Sequence, residues 1–278
     1  MFQFIANIFG YLLEWLYNGI GQNYGIALIL FTIILRIILL PLTIKQQKSM
    51  KKTTELQGKM QEIQFKYKNN PELMNKEIME LYKREKLSPF SGCISSIVQI
   101  LIILSVFYLV SRPLTYMKKI DPGIIENYRN EISAENDGKN SNYYEIEIIQ
   151  KKAAQDENIK VNMDFLGLDL SKVPSQNMSD VTVYIIPLLY VVSSIFSIRM
   201  TTGKTKKKEE NNSSEPDMTQ QMNKSMSYMM PIMAVSIAFV APLGLALYWL
   251  ISNILMILER IVINKYVDSK EEKTLCLK

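Results

Sequence analysis

The chain has 278 residues, with 32 Lys and Arg against 27 Asp and Glu, two cysteines and no histidine. Without histidine, and with only Cys93 and Cys276, zinc sites, imidazole acid–base chemistry and a disulfide framework are excluded. Apolar residues make up 48% of the chain and gather in blocks of roughly 18 to 22, the length that crosses a ~30 Å hydrocarbon core as helix, so the net charge of +5 points to cytoplasmic loops and anionic headgroups rather than to nucleic acid.

Residues 2–18 place Phe4, Ile5, Ile8, Leu12, Trp15 and Leu16 at helical spacing, with Tyr11, Trp15 and Tyr17 suited to the headgroup level. Segment 1–23 therefore reads as an external helix lying in the interface, and Glu14 with the short 19–22 link argues against a further span. It has no basic n-region, no A-x-A-like cleavage site and no cysteine for lipid attachment. Residues 24–44 form a first span, interrupted in character only by Arg36; 45–88 is charged; 90–111 is a second span; 112–180 is polar and mixed; 181–198 is a third span. A polar linker, 199–227, carries Lys206, Lys207 and Lys208. Residues 228–263 are apolar but too long for one span, and Ala241-Pro242-Leu243-Gly244 near the middle is turn chemistry. That predicts a tight hairpin of two short spans, 228–241 and 244–263, with local bilayer thinning, followed by a tail at 264–278.

Lys and Arg set the topology. Residues 1–23 contain none and residues 45–88 contain eleven, which puts the N-terminus outside and 45–88 in the cytoplasm. Alternation then places 112–180 outside, the basic 199–227 inside, the uncharged Pro242 turn outside and the C-terminus inside. Both cysteines fall on the reducing side, where free thiols are expected.

The cytoplasmic stretch reads as a helical hairpin. Met50, Leu56, Met60, Ile63 and Tyr67 line one stripe; Met74, Ile78, Leu81 and Tyr82 line another. Asn70-Pro71 supplies an N-cap and a first-turn proline for the second helix. A basic, methionine-rich surface beside the membrane suits capture of apolar or acidic client segments, because Met adapts to varied partners; a solvated linker is the plainer alternative.

Arg36 lies nine residues before Lys45, about 13 Å along a helix at ~1.5 Å per residue, too deep to snorkel comfortably. A central arginine costs at least ~2.5–3.5 kcal/mol on insertion scales. Two readings follow: it lines a water-accessible, positively charged cavity, or it is neutralised by Glu259 or by backbone carbonyls. Gln99, Ser105, Ser193, Ser194, Ser197, Ser252 and Asn253 read first as glue between helices, and Tyr248 and Trp249 as packing or interface residues. Thr202-Gly203-Lys204-Thr205 ends like a phosphate-binding loop, but the required upstream glycine falls at Ile198 inside a span. No cofactor, no metal and no enzymatic activity is expected.

Several strings resemble the bacterial YidC family: LPLTIKQQKSMKK (39–52), LQGKMQEIQFKYKNNPELMNKEIMELYKREK (56–86), FLGLDLSK (165–172), and MMPIM with PLGLALYWLISNI (229–233 and 242–254). The resemblance implies an all-α polytopic fold, with five spans around a hydrophilic groove that opens to the cytoplasm and lipid and is closed outside, and a cytoplasmic helical hairpin. It implies a membrane protein insertase and chaperone, in a short form without the large periplasmic domain, multi-pass in the bacterial cell membrane. The groove arginine maps onto Arg36 and an aromatic wall residue onto Trp249; Ser197 stands near a position that is often glutamine, and Gln99 joins the groove set. The hairpin, through Met60, Ile63, Tyr67, Met74, Ile78 and Leu81, would receive substrates. Expected partners are nascent membrane proteins and the lipid bilayer, with the Sec translocon and the ribosome as further candidates. The second proline usual after the Gly-Cys pair is missing from SGCISSIVQ, and so is the Met-Pro after Gln99, so the second span is expected to bend differently. A passive assembly scaffold is the main alternative. A small-solute transporter would need repeats and an intramembrane carboxylate, and a protease would need a nucleophile–base pair or paired aspartates within the spans.

Overall fold

The computed structural model describes residues 2–85, 91–135, 142–202, 229, 233 and 236–275, with side chains undescribed at 50, 53–55, 57, 91–96, 201–202 and 264–275. Most of the predicted linker 199–227 (with Lys206–Lys208 and Gly203-Lys204-Thr205), residues 228, 230–232, 234 and 235 of the predicted fourth span 228–241, Cys276 and the side chains of Met50 and Cys93 lie outside the described residues. Helices are α1 (Phe2–Gly19), α2 (Tyr24–Lys66), α3 (Pro71–Arg84), α4 (Ser91–Ser111), α5 (Pro113–Tyr116), α6 (Pro122–Glu135), α7 (Tyr144–Lys152), α8 (Ile185–Thr202) and α9 (Leu243–Leu275). One antiparallel hairpin, β1 (Asp164–Phe165) with β2 (Leu168–Asp169), pairs Asp164 with Asp169 and Phe165 with Leu168.

Among the described residues, Tyr24–Ser49, Val181–Met200 and Leu243–Ile263 are long and apolar enough to cross a bilayer, and Ile97–Ser111 is a shorter apolar helix. This is a helical membrane protein. It forms two compact units, Met1–Arg36 with Ile103–Lys278, and Ile37–Ile102.

In the first unit, α1 buries Ala6, Gly10, Leu13, Leu16 and Tyr17 and exposes Phe4, Ile8, Tyr11 and Trp15 along its other face. Gly10 permits the approach of α5, since a Cβ there would sit 1.8 Å from the Tyr116 carbonyl oxygen. The region expected as a polar outer loop is folded around Leu114, Met117, Ile125, Ile132, Ile146 and Ile149. Glu145 is fully buried. Its carboxylate accepts from the Thr115 N–H at 2.9 Å and from the Thr115 hydroxyl at 2.6 Å, at the start of α5. Lys152 joins α7 to α6 through Glu131 (3.0 Å) and Glu135 (3.3 Å).

Residues 162–172 form a strap across several helix starts. The Asn162 carbonyl accepts from Tyr24 N (3.0 Å) and the Asp164 carbonyl from Asn23 Nδ2 (2.7 Å), at the start of α2. The Leu170 and Lys172 carbonyls accept from Gly244 N and Leu243 N (2.9 Å each), at the start of α9. The Tyr17 hydroxyl of α1 accepts from Asn162 N at 2.9 Å. Helix N-termini leave N–H groups without intrahelical acceptors, and here the strap supplies them. Phe165 packs where a Cβ on Gly25 would stand, 2.5 Å from its ring.

In the second unit, α2 continues through Pro41 into the charged stretch, so the predicted boundary at 44 is not a break. Proline cannot donate to the carbonyl four residues back, here that of Ile37, a loss that helices in membranes tolerate; one turn on, the Thr43 hydroxyl donates to the Leu39 carbonyl at 3.2 Å. α3 starts at Pro71, with the Asn70 side chain accepting from Leu73 N at 3.1 Å. Leu56 and Leu81 are buried between the two helices, the Tyr82 hydroxyl reaches Met60 Sδ at 3.7 Å, and Lys59 pairs with Glu85 at 2.9 Å.

Candidate functional site

Arg36 of α2 meets α9 through two kinds of contact. Its Nη2 donates to the Ser252 hydroxyl at 2.6 Å and to the Ser252 carbonyl at 3.0 Å. Its Nη1 stands 3.6 Å from Glu259 Oε2, with the two side chains 13% and 11% exposed. That separation exceeds hydrogen-bond length, and Glu259 Oε2 is buried without a hydrogen-bond partner among the described residues. The link between them is charge attraction across 3.6 Å without a hydrogen bond. Of the two readings the sequence leaves open for Arg36, the contacts to a carbonyl and to Glu259 are therefore present.

A polar seam continues beside it. Asn253 Nδ2 donates to the hydroxyls of Ser193 (2.9 Å) and Ser194 (3.2 Å), tying α9 to α8. Trp249 is half-buried, its ring centroid 6.4 Å from that of Tyr190 at 41°. Ser197 is half-buried on α8, one turn beyond Ser193. Outward from the seam, Leu188, Leu189, Val192, Ile195 and Phe196 of α8, and Ile254, Leu258, Ile261 and Val262 of α9, are exposed. The structure thus gathers Arg36, Ser252 and Glu259, and places Trp249 and Ser197 on the α8–α9 pair. Gln99 is half-buried in α4 and belongs to the other unit.

Of the six predicted hairpin residues, Leu81 is buried and Met60, Ile63, Tyr67, Met74 and Ile78 are half-buried, with Met60 meeting the Tyr82 hydroxyl across the hairpin. The apolar side chains that the hairpin exposes are others, chiefly Phe65 (84% exposed), then Met79 and Leu73.

Ser252 as the anchor of Arg36 was not singled out by sequence reasoning. The signal was available: Ser252 and Glu259 stand seven residues apart, two turns of helix, and so share a face. An open cleft of about 1450 Å³ lies away from Arg36, lined in part by Lys151, Lys160, Asn162, Asp169 and Lys172. Two of its lysines are spent on carboxylates, Lys151 on Glu147 and Lys172 on Asp180.

Comparison with known proteins gives one family. The family described as 60Kd inner membrane protein matches residues 15–271. A protein of Treponema denticola named membrane protein insertase YidC is 29% identical over 261 residues, which is 94% of this chain and 37% of that protein. The Helicobacter pylori protein of the same name is 30% identical over 261 residues, 94% of this chain and 36% of that one. The Oceanobacillus iheyensis protein of that name is 28% identical over 272 residues, 95% of this chain and 85% of that one. The chain spans little more than a third of the length of the first two relatives.

Proposed function

The chain belongs to the 60Kd inner membrane protein family, and on that footing we propose that it is a membrane protein insertase that also helps its clients fold. The observation that carries this reading is Arg36: a guanidinium inside an apolar helix, 13% exposed and held by a neutral hydroxyl, a carbonyl and a loosely placed carboxylate.

In this reading five spans, 24–44, 90–111, 181–198, 228–241 and 244–263, surround a hydrophilic groove open to the cytoplasm. The N-terminus and 112–180 are outside, 1–23 rests in the outer interface, and 45–88, 199–227 and 264–278 are inside. Lysine distribution supports the orientation. Closure on the outer side is supported by the strap at the starts of α2 and α9. Arg36, Trp249, Ser197 and Gln99 line the groove, and the hairpin meets clients first, with Phe65 as its exposed apolar contact.

A nascent segment reaches the hairpin, and its polar or acidic flank enters the wet groove, where Arg36 holds it by charge. Water in the groove and a thinned bilayer shorten the apolar barrier. The apolar part of the client lies against the exposed faces of α8 and α9 and moves into lipid, which removes its apolar surface from water. The membrane potential adds ~2.3 kcal/mol per charge per 100 mV for an acidic tail drawn outward. Partners in this reading are nascent membrane proteins and the bilayer, with the Sec translocon and the ribosome joining for some clients.

The test is reconstitution of the purified protein alone in liposomes, with a single-span client bearing a short acidic external tail. Insertion is expected, falling at least several-fold in Arg36→Ala and on deletion of residues 46–87. If the unaltered protein inserts nothing yet speeds folding of clients already in the bilayer, it is an assembly scaffold and the insertase reading is lost.

A further inference from the structure

We propose that Glu259 is a resident counter-ion for Arg36 that sets how strongly the site selects acidic clients; this rests on the insertase reading. Arg36 is held by two unequal attachments. Ser252 fixes Nη2 through two hydrogen bonds, at 2.6 and 3.0 Å, and carries no charge. Glu259 faces Nη1 at 3.6 Å with an oxygen that no group among the described residues hydrogen-bonds. Ser252 therefore orients the guanidinium whether or not a carboxylate is present, and Glu259 supplies charge without fixing geometry.

This asymmetry suits exchange. Of the five N–H donors of an arginine, Ser252 takes the two on Nη2. An incoming client carboxylate finds the Nη1 donors already oriented and competes there with a long, non-hydrogen-bonded ion pair. Once displaced, Glu259 is four residues from the end of its candidate span at Ile263, close to water. A neutral client meets a charge-balanced pair and displaces nothing.

Apparent affinity for an acidic flank is the intrinsic affinity reduced by the fraction of time Arg36 is available. Glu259 holds that fraction down. It keeps the arginine from retaining acidic clients, and it keeps the site permissive toward neutral ones. A second copy of the same chemistry, a carboxylate, is thus the ligand this site takes in the resting and the occupied state.

The experiment uses the full chain in liposomes and two single-span clients that differ only by Asp or Asn in the external tail. The readout is the ratio of acidic to neutral client inserted. Glu259→Gln is expected to raise that ratio about fivefold, the change that corresponds to removing a competitor worth about 1 kcal/mol. Glu259→Asp, which keeps the charge, is expected to stay near the normal ratio. Arg36→Ala combined with Glu259→Gln is expected to show no gain. A folding defect lowers both clients alike, so the amount of neutral client that each variant inserts reports it separately from the ratio. An unchanged ratio in Glu259→Gln, with that variant inserting the neutral client as well as the unaltered chain does, overturns the role of Glu259 and leaves the insertase reading standing. Failure of the unaltered chain to insert either client removes the insertase reading, and this inference with it.

Discussion

Two carboxylates between residues 112 and 180 respond to pH in opposite senses. Asp180 accepts from Lys172 Nζ at 2.7 Å and from the Thr182 N–H and hydroxyl at 3.0 and 2.6 Å. The Lys172 ammonium first, then Thr182, push its pKa from 3.8 down to about 2. As pH falls the unfolded chain takes up the proton first, so this contribution is present above the ordinary aspartate range and lost as pH falls through about 2. Melting of the purified protein against pH is expected to show Asp180→Asn less stable than the normal protein above pH 4, with the difference vanishing toward pH 2. Glu145 goes the other way: burial pushes its pKa up, against the Thr115 hydrogen bonds. Its contribution is greatest below the ordinary glutamate range and is lost as pH rises through the raised value. Glu145→Ala strands the Thr115 N–H in a buried place and is expected to cost about 2–3 kcal/mol, measured by denaturant unfolding in detergent. Glu145→Gln keeps an acceptor and is expected to cost less while abolishing that pH dependence.

At the scale of elements, what was legible is what short-range rules govern. The apolar blocks at 24–44, 181–198 and 244–263 mark helices because hydrocarbon thickness fixes their length. Asn70-Pro71 marks the start of α3 because a cap and a first-turn proline act within four residues. Asn70→Ala is accordingly expected to cost about 1 kcal/mol, seen as faster hydrogen exchange in the first turn of α3 in the intact protein. What was not legible depends on distant partners. The strap bonds Asn23 to Asp164 and Tyr17 to Asn162, across more than 140 residues, and Arg36 finds Ser252 at a separation of 216. Residues 112–180 hid their core because the isoleucines are diluted by charges such as Lys152 and the Glu131 and Glu135 that pair with it. The hairpin stripe was readable as a stripe, but its described side chains are buried or half-buried, while Phe65, which lies off the stripe, is 84% exposed. Gly10 gave no signal at all, since its meaning is the approach of the Tyr116 carbonyl. Gly10→Ala is expected to cost about 1–3 kcal/mol through overpacking and to make α1 accessible to protease in the reconstituted protein.

For the whole molecule, orientation is the property that decides whether the site faces the side where clients are made. Cysteine placed at Leu166, 86% exposed at the tip of the β-hairpin, is expected to react with a membrane-impermeant maleimide from outside intact cells. Cysteine at Lys59, on the exposed side of the helical hairpin, is expected to react only after the membrane is opened. The reverse pattern would invert the topology and with it the route proposed for clients. The strap bears on the same route in another way. Four donors from the beginnings of two helices end on its carbonyl groups. A polypeptide driven straight through at that end would have to unfasten all of them, whereas one that slips sideways along α8 disturbs none. On the proposed insertase reading, a protein tied in this manner is expected to release a client sideways into lipid rather than across the membrane, because leaving lengthwise would first break those four bonds.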